Sequence, residues 1–222
     1  MRPFWIGLLV ALPVAACAHS PAPTSSPTPS THARAVNPVN PANIKRISRE
    51  LPPGYEVTSA IPGGVSPRVV WGPAPNAQAK PAECATLADP GDGIGQSAQG
   101  VSGSGSGGVV NAVVVAVPVT LDRNVVARCG QWTMSDGHTT ANVGLIDAPH
   151  IDGADTVGMV ANIRRAVESG AQIDSRTYTF IAYLGDYYAF TALTTDPGSM
   201  LPPLPPQFAA DLLVKTVSTL RN

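Results

Sequence analysis

The chain is poor in charge and in aromatic rings, and it has only three cysteines. Fifteen acidic residues against fourteen lysines and arginines give a formal charge of −1. That balance leaves no basic patch for a nucleic acid, which excludes that partner class. Past Leu12 no apolar run approaches the ~20 residues of a spanning helix, and the longest, Ala112 to Val119, is of strand length. No Cys-x-x-Cys occurs and no histidines cluster beside a cysteine, so neither a redox couple nor a zinc site is expected. Two catalytic signatures are also missing: a Gly-x-Ser-x-Gly elbow and a phosphate-loop Gly-Lys-Ser/Thr. Gly103-x-Gly105-x-x-Gly108 satisfies the dinucleotide fingerprint by letter. It precedes a valine-rich run, whereas the fingerprint must follow a strand and open a helix. No cofactor and no metal are expected.

The N-terminus carries the clearest signal. Arg2 precedes a short apolar run, Phe4 to Leu12, and the small residues Ala15 and Ala16 lead directly to Cys17. A charged start, an apolar core and small residues before a cut mark an export signal. With a cysteine at the cut, the segment resembles a bacterial lipoprotein signal. The resemblance implies that residues 1–16 are removed and that Cys17 is diacylated on sulfur, with a further acyl chain possible on its amine. Two or more chains anchor stably where one is marginal, because each buried methylene contributes about 0.8 kcal/mol. The expected location is the outer face of the cell membrane, within the envelope. Losing Arg2 with the signal moves the formal charge to −2.

From Ala18 to Pro41 the chain is rich in Pro, Ser, Thr and Ala and cannot bury enough apolar surface to order itself. Residues 17–41 therefore read as the lipidated cysteine and an extended tether. At ~3.1 Å per residue it reaches roughly 70 Å. Lipidating Cys17 leaves Cys84 and Cys129, an even pair in an oxidising compartment, and a disulfide between them is expected.

Residues 42–222 read as a single α+β domain. Asn40-Pro41 caps a helix carrying Ile44, Ile47 and Leu51, and Pro52-Pro53 ends it. Lys45, Arg46 and Arg49 form its solvated face. A short helix over Pro81–Ala88 carries Cys84, and Gly91–Gly108 reads as a flexible loop. From Val109 the pattern predicts a β-meander. Asp136-Gly137 marks a type I′ hairpin, and Ser169-Gly170 and Gly185-Asp186 mark further turns. The expected sheet has five or six mostly antiparallel strands, with a C-terminal helix on it carrying Phe208, Leu212, Leu213, Val217 and Leu220.

Four motifs look like an uncharacterised family of mycobacterial envelope lipoproteins over residues 40–221. They are Cys84-Ala85-Thr86-Leu87, Cys129-Gly130-Gln131-Trp132-Thr133, Ile151-Asp152-Gly153-Ala154-Asp155-Thr156 and the run Tyr183 to Ser199. More distantly, the domain is similar to the extracellular sensor domain of mycobacterial Ser/Thr kinases. That relative has two disulfides around a cleft, whereas one pair exists here. Neither resemblance brings catalytic residues.

Two function classes remain open. The first is a non-catalytic domain binding an envelope lipid, a glycan or a protein partner. Trp132, Tyr178, Tyr183, Tyr187 and Tyr188 are the candidate ligand-lining residues, since aromatic walls with polar tips suit such contacts. The alternative is a hydrolase acting on envelope lipid or glycan through His138 or His150, near Asp136 and Asp152. No compact ligand spacing joins those four groups into a metal site.

Overall fold

The computed structural model describes residues 38–92, 94, 96–167, 170–195 and 199–222. The signal segment, Cys17 and the tether up to residue 37 lie outside the described residues, as do Gly93, Gly95 and Ser169 of the expected loop and turn.

A 3-10 helix, Pro41–Glu50, opens the domain, with the Asn40 side chain accepting from the Ala42 N–H. It leads to β1 (Glu56–Thr58), α1 (Pro67–Trp71) and β2 (Gln78–Lys80). A turn over Ala82–Cys84 continues into α2 (Ala85–Ala88). Then come β3 (Ser97–Gly105), β4 (Gly108–Ala116) and α3 (Arg123–Arg128). The chain continues through β5 (Gln131–Ser135), β6 (Thr139–Ile146), β7 (Asp155–Ala166), β8 (Gln172–Tyr183) and β9 (Tyr187–Thr195). It ends in α4 (Pro206–Leu220).

Among the described residues, all the strands join one antiparallel sheet of nine, in the order β1-β3-β4-β9-β8-β7-β6-β5-β2. The expected five or six strands are thus too few. The shortfall is β1 and β2, three-residue edge strands, together with β3, which is built largely of glycine and serine. Short edges leave little unpaired backbone to recruit another chain. The meander holds from β5 to β9, but β4 pairs with β9 rather than β5. Because β4 and β5 lie apart in the sheet, the connection through α3 must cross it.

The expectation of a flexible loop over Gly91–Gly108 is also overturned. Residues 97–105 pair along their length with β4, and β1 adds to their other edge. The glycines are there because neighbours sit on them. A Cβ on Gly103 would come within 2.7 Å of Leu51 Cδ1, and one on Gly105 would enter the Tyr55 ring. The bare strand lets the N-terminal segment lie directly on the sheet. Glycine composition signals mobility in sequence, but here it signals close approach.

The sheet is covered on both faces, as the two-sided apolar pattern of β8 and β9 requires. One face packs Trp71, Leu87, Trp132, Met134, Met159, Ile181 and Phe190 around the disulfide. On the other, the 3-10 helix and α4 bring Ile44, Ile47, Leu212, Leu213 and Leu220 against Phe180 and Leu193. Cys84 and Cys129 are bonded and fully buried, their Cα atoms 5.7 Å apart, tying the start of α2 to the end of α3. The backbone N–H of Asn40 donates to the Leu220 carbonyl at 2.8 Å, so the domain begins beside the end of α4. No described helix is long and apolar enough to cross a membrane.

Candidate functional site

Strand parity distributes the five candidate aromatics over two faces. Trp132, Tyr183 and Tyr188 belong to the disulfide face, and Tyr178 and Tyr187 to the helix face. They do not form one wall. Trp132 is 4 % exposed and lies against Trp71, with ring centroids 5.9 Å apart. Tyr188 is fully buried and stacks on Phe190 at 6.2 Å. Burial pushes the pKa of Tyr188 far above the ordinary phenol value, and the negative charge of Asp89 adds to the rise. Burial does the same to Tyr183. Both stay neutral in any ordinary buffer.

The two histidines lie beyond opposite ends of β6, an eight-residue strand about 26 Å long at strand rise. His138 sits in the β5–β6 turn, which differs from the expected Asp136-Gly137 centre. Asp136 N bonds Thr139 O, placing Gly137 and His138 at the tip. The cause is the Asp136 carboxylate. It accepts from the backbone N–H groups of Ala74 (2.6 Å), Thr139 (2.6 Å) and His138 (2.8 Å). Burial pushes the Asp136 pKa up, but those three donors outweigh it and hold the carboxyl below its usual value. Asp136 is thus a tie between the hairpin and the segment before β2. His150 is 90 % exposed, with Nε2 3.3 Å from Asp152 Oδ1. Among the described residues no three metal-ligating side chains converge.

What the fold does assemble is a groove of about 830 Å3 on the helix face, beside the start of α4. This volume falls within the ~300–1,000 Å3 of small-ligand sites. Its floor is the part of the sheet that the helices leave uncovered. Register sets the floor out in cross-strand rows: Thr140–Arg164–Asp174, then Asn142–Asn162–Arg176, with Tyr178 in the row after them. Neighbours within a row stand about 5 Å apart and successive rows about 7 Å. The wall is the segment 199–206, with Leu201, Pro203, Leu204, Pro205 and Pro206 facing the floor. Leu204 N donates to Gly107 O at 3.0 Å, which pins that wall to the β3–β4 turn.

Arg164 Nε donates to Asp174 Oδ1 at 2.9 Å, and Arg176 Nε donates to Asn162 Oδ1 at 2.7 Å. These bonds orient both guanidiniums across the sheet, and both arginines line the groove. Neither histidine lines it. The serine hydroxyl in the wall, Ser199, donates to a carbonyl, Ser106 O, at 2.9 Å. Of the sequence candidates, only Tyr178 is part of this groove. The polar floor was written in the sequence as alternate outward positions of β6, β7 and β8. It becomes visible as a site only when the register puts the three strands side by side.

A second crevice, of about 740 Å3, lies at the other end of β7, where Tyr183 and His150 meet Leu121 and Asp155. The Arg123–Asp155 pair at its rim, 2.7 Å long, is solvent-exposed.

Residues 40–221 match the model of a family described as a domain of unknown function, DUF5642. No curated protein matches the chain. Among solved structures, the chain is similar to a putative uncharacterized protein, an Rv0999 ortholog from Mycobacterium smegmatis. The identity is 20 % and the TM-score 0.63, over 85 % of this chain and 100 % of that one. That likeness is one of fold. The extracellular domain of PknH from Mycobacterium tuberculosis aligns at 13 % identity and TM-score 0.48, over 82 % of this chain and 92 % of that one. The resemblance drawn from the sequence to an uncharacterised domain over residues 40–221 agrees with the family match.

Proposed function

The chain belongs to the DUF5642 family, and on that footing we propose that it is an exported, lipid-anchored envelope protein whose domain binds a ligand and performs no chemistry. Residues 1–16 are the signal, Cys17 holds the lipid, residues 17–41 are the tether and residues 42–222 the binding domain. The partners are the membrane, through the acyl chains, and a component of the envelope. The reading is carried by the groove. It is preformed on paired strands, polar side chains line its floor, and sites built on such elements hold their geometry best.

The position of the groove fits the anchor. The described chain begins beside the C-terminus of α4, while the groove wall enters its N-terminus. The fifteen residues of α4 put about 22 Å between these ends. A domain tethered at one end of α4 keeps its groove free of its own attachment point.

Hydrogen exchange on the detergent-solubilised mature protein tests the reading. A delipidated envelope polysaccharide fraction should slow exchange over 199–206, the groove wall, and leave α3 unchanged. Unchanged exchange along the whole wall, with that fraction and with the lipid extract alike, would remove the groove as the ligand site.

A further inference from the structure

We infer that the groove is built for an acidic sugar, a glycan chain bearing carboxylate or phosphate groups; the inference rests on the groove being the ligand site proposed above. The floor offers more hydrogen-bond donors than acceptors, because two guanidiniums line it. Among the described residues, each guanidinium uses only its Nε–H internally, while Asn162 Oδ1 is already occupied by Arg176. That leaves four N–H groups per arginine without a partner among the described residues, on side chains that line the groove beside the amide groups of Asn142 and Asn162. Such a floor selects a ligand made mostly of acceptor oxygens.

Charge points the same way. Arg164 and Arg176 are diagonal neighbours on adjacent strands, and Asp174 is the carboxylate among the described lining residues. Guanidinium forks match planar carboxylate and phosphate oxygens in two-point contacts. The third row completes the fit to a sugar. Tyr178, half-buried, lines the groove there and is its aromatic shelf. A pyranose ring lays its C–H face on such a shelf and turns its oxygens towards the arginine rows. The proline-bearing wall is stiff and loses little freedom when it closes on a chain.

Asp174 gives the test its sign. It competes with the ligand for Arg164, so removing its charge should tighten binding, whereas neutralising either arginine should loosen it. Calorimetric titration of the full mature protein in detergent would use hexagalacturonate, maltohexaose of equal length, and phosphatidylglycerol vesicles. The expected result is saturable, salt-sensitive binding of hexagalacturonate and at least tenfold weaker binding of maltohexaose. Arg164→Gln and Arg176→Gln should each cost about tenfold, the usual weight of a charge-assisted bond, and Asp174→Asn should gain affinity. These side chains are exposed, and circular dichroism would show that the variants remain folded.

Equal affinity for the neutral and acidic chains would overturn the acidic preference. The groove would remain the ligand site if Tyr178→Ala abolished both. A preference for the vesicles would overturn the inference in favour of a lipid, and so would Asp174→Asn behaving like the arginine variants. Binding of none of the three probes would overturn it too, leaving the groove itself to the exchange experiment.

Discussion

Gly100→Ala separates a packed strand from a loose loop by the sign of its effect. In a flexible segment, replacing glycine by alanine stabilises by about 0.4–1 kcal/mol, because the unfolded chain has fewer states to lose. In this fold Gly100 pairs with Val113 in the β3–β4 ladder. A Cβ there would lie 2.5 Å from the Ala112 carbonyl oxygen, 2.6 Å from Ile61 Cδ1 and 3.1 Å from Val113 Cα. Two of those three atoms are backbone of a central strand and cannot swing aside. Overpacking of this kind costs about 1–3 kcal/mol. For a domain of this size that lowers Tm by roughly 2–12 °C, at about 2–4 °C per kcal/mol. Gly63→Ala is the control, since nothing lies within 4 Å of its Cβ position. It should stay within about 0.5 kcal/mol of the parent. Scanning calorimetry of the three proteins reads the difference. A Gly100→Ala variant as stable as the parent, or more so, would refute the packing of β3.

Cysteine-specific labelling of the denatured lipidated protein should find no free thiol before reduction and two after it. A Cys84→Ala/Cys129→Ala variant should lose up to about 4 kcal/mol by chain entropy over the 45-residue separation. Asp136 should add an acid limb to the stability curve. Its folded pKa is depressed by backbone donors, so its contribution is complete above the unfolded value of about 3.9 and is lost as pH falls through the folded one. Asp136→Ala should be less stable than the parent at pH 7, by about 2 kcal/mol for a charged acceptor. In urea titrations that gap should narrow towards pH 2, and a gap independent of pH would refute the electrostatic tie.

The parts of the fold legible in the sequence are those whose signal is local. Asn40-Pro41, the stripe from Phe208 to Leu220 and the alternation of β7 each state their element within a dozen residues. The pairing of Cys84 with Cys129 followed from compartment and parity. What stayed hidden depends on contacts between distant segments. Gly103 and Gly105 read as loop because Leu51 and Tyr55, which sit on them, are about fifty residues away. β4 looked like the first strand of the meander, but its place beside β9 is fixed by long-range pairing that no turn records. The groove was invisible for the same reason. Arg164, Arg176 and Asn142 are unremarkable outward residues until register sets them in adjoining rows, whereas the conspicuous aromatics Trp132 and Tyr188 went into the core.

In the proposed function a lipid on Cys17 holds the domain at the membrane, and the tether lets it reach into the envelope. Mass spectrometry of the protein purified from envelope membranes tests this most directly. The N-terminal peptide should begin at Cys17 and carry the mass of a diacylglyceryl group, with or without a further acyl chain. Cys17→Ala should yield only the uncleaved, unlipidated precursor. A mature N-terminus elsewhere, or a Cys17 with no added mass, would contradict the account at its base.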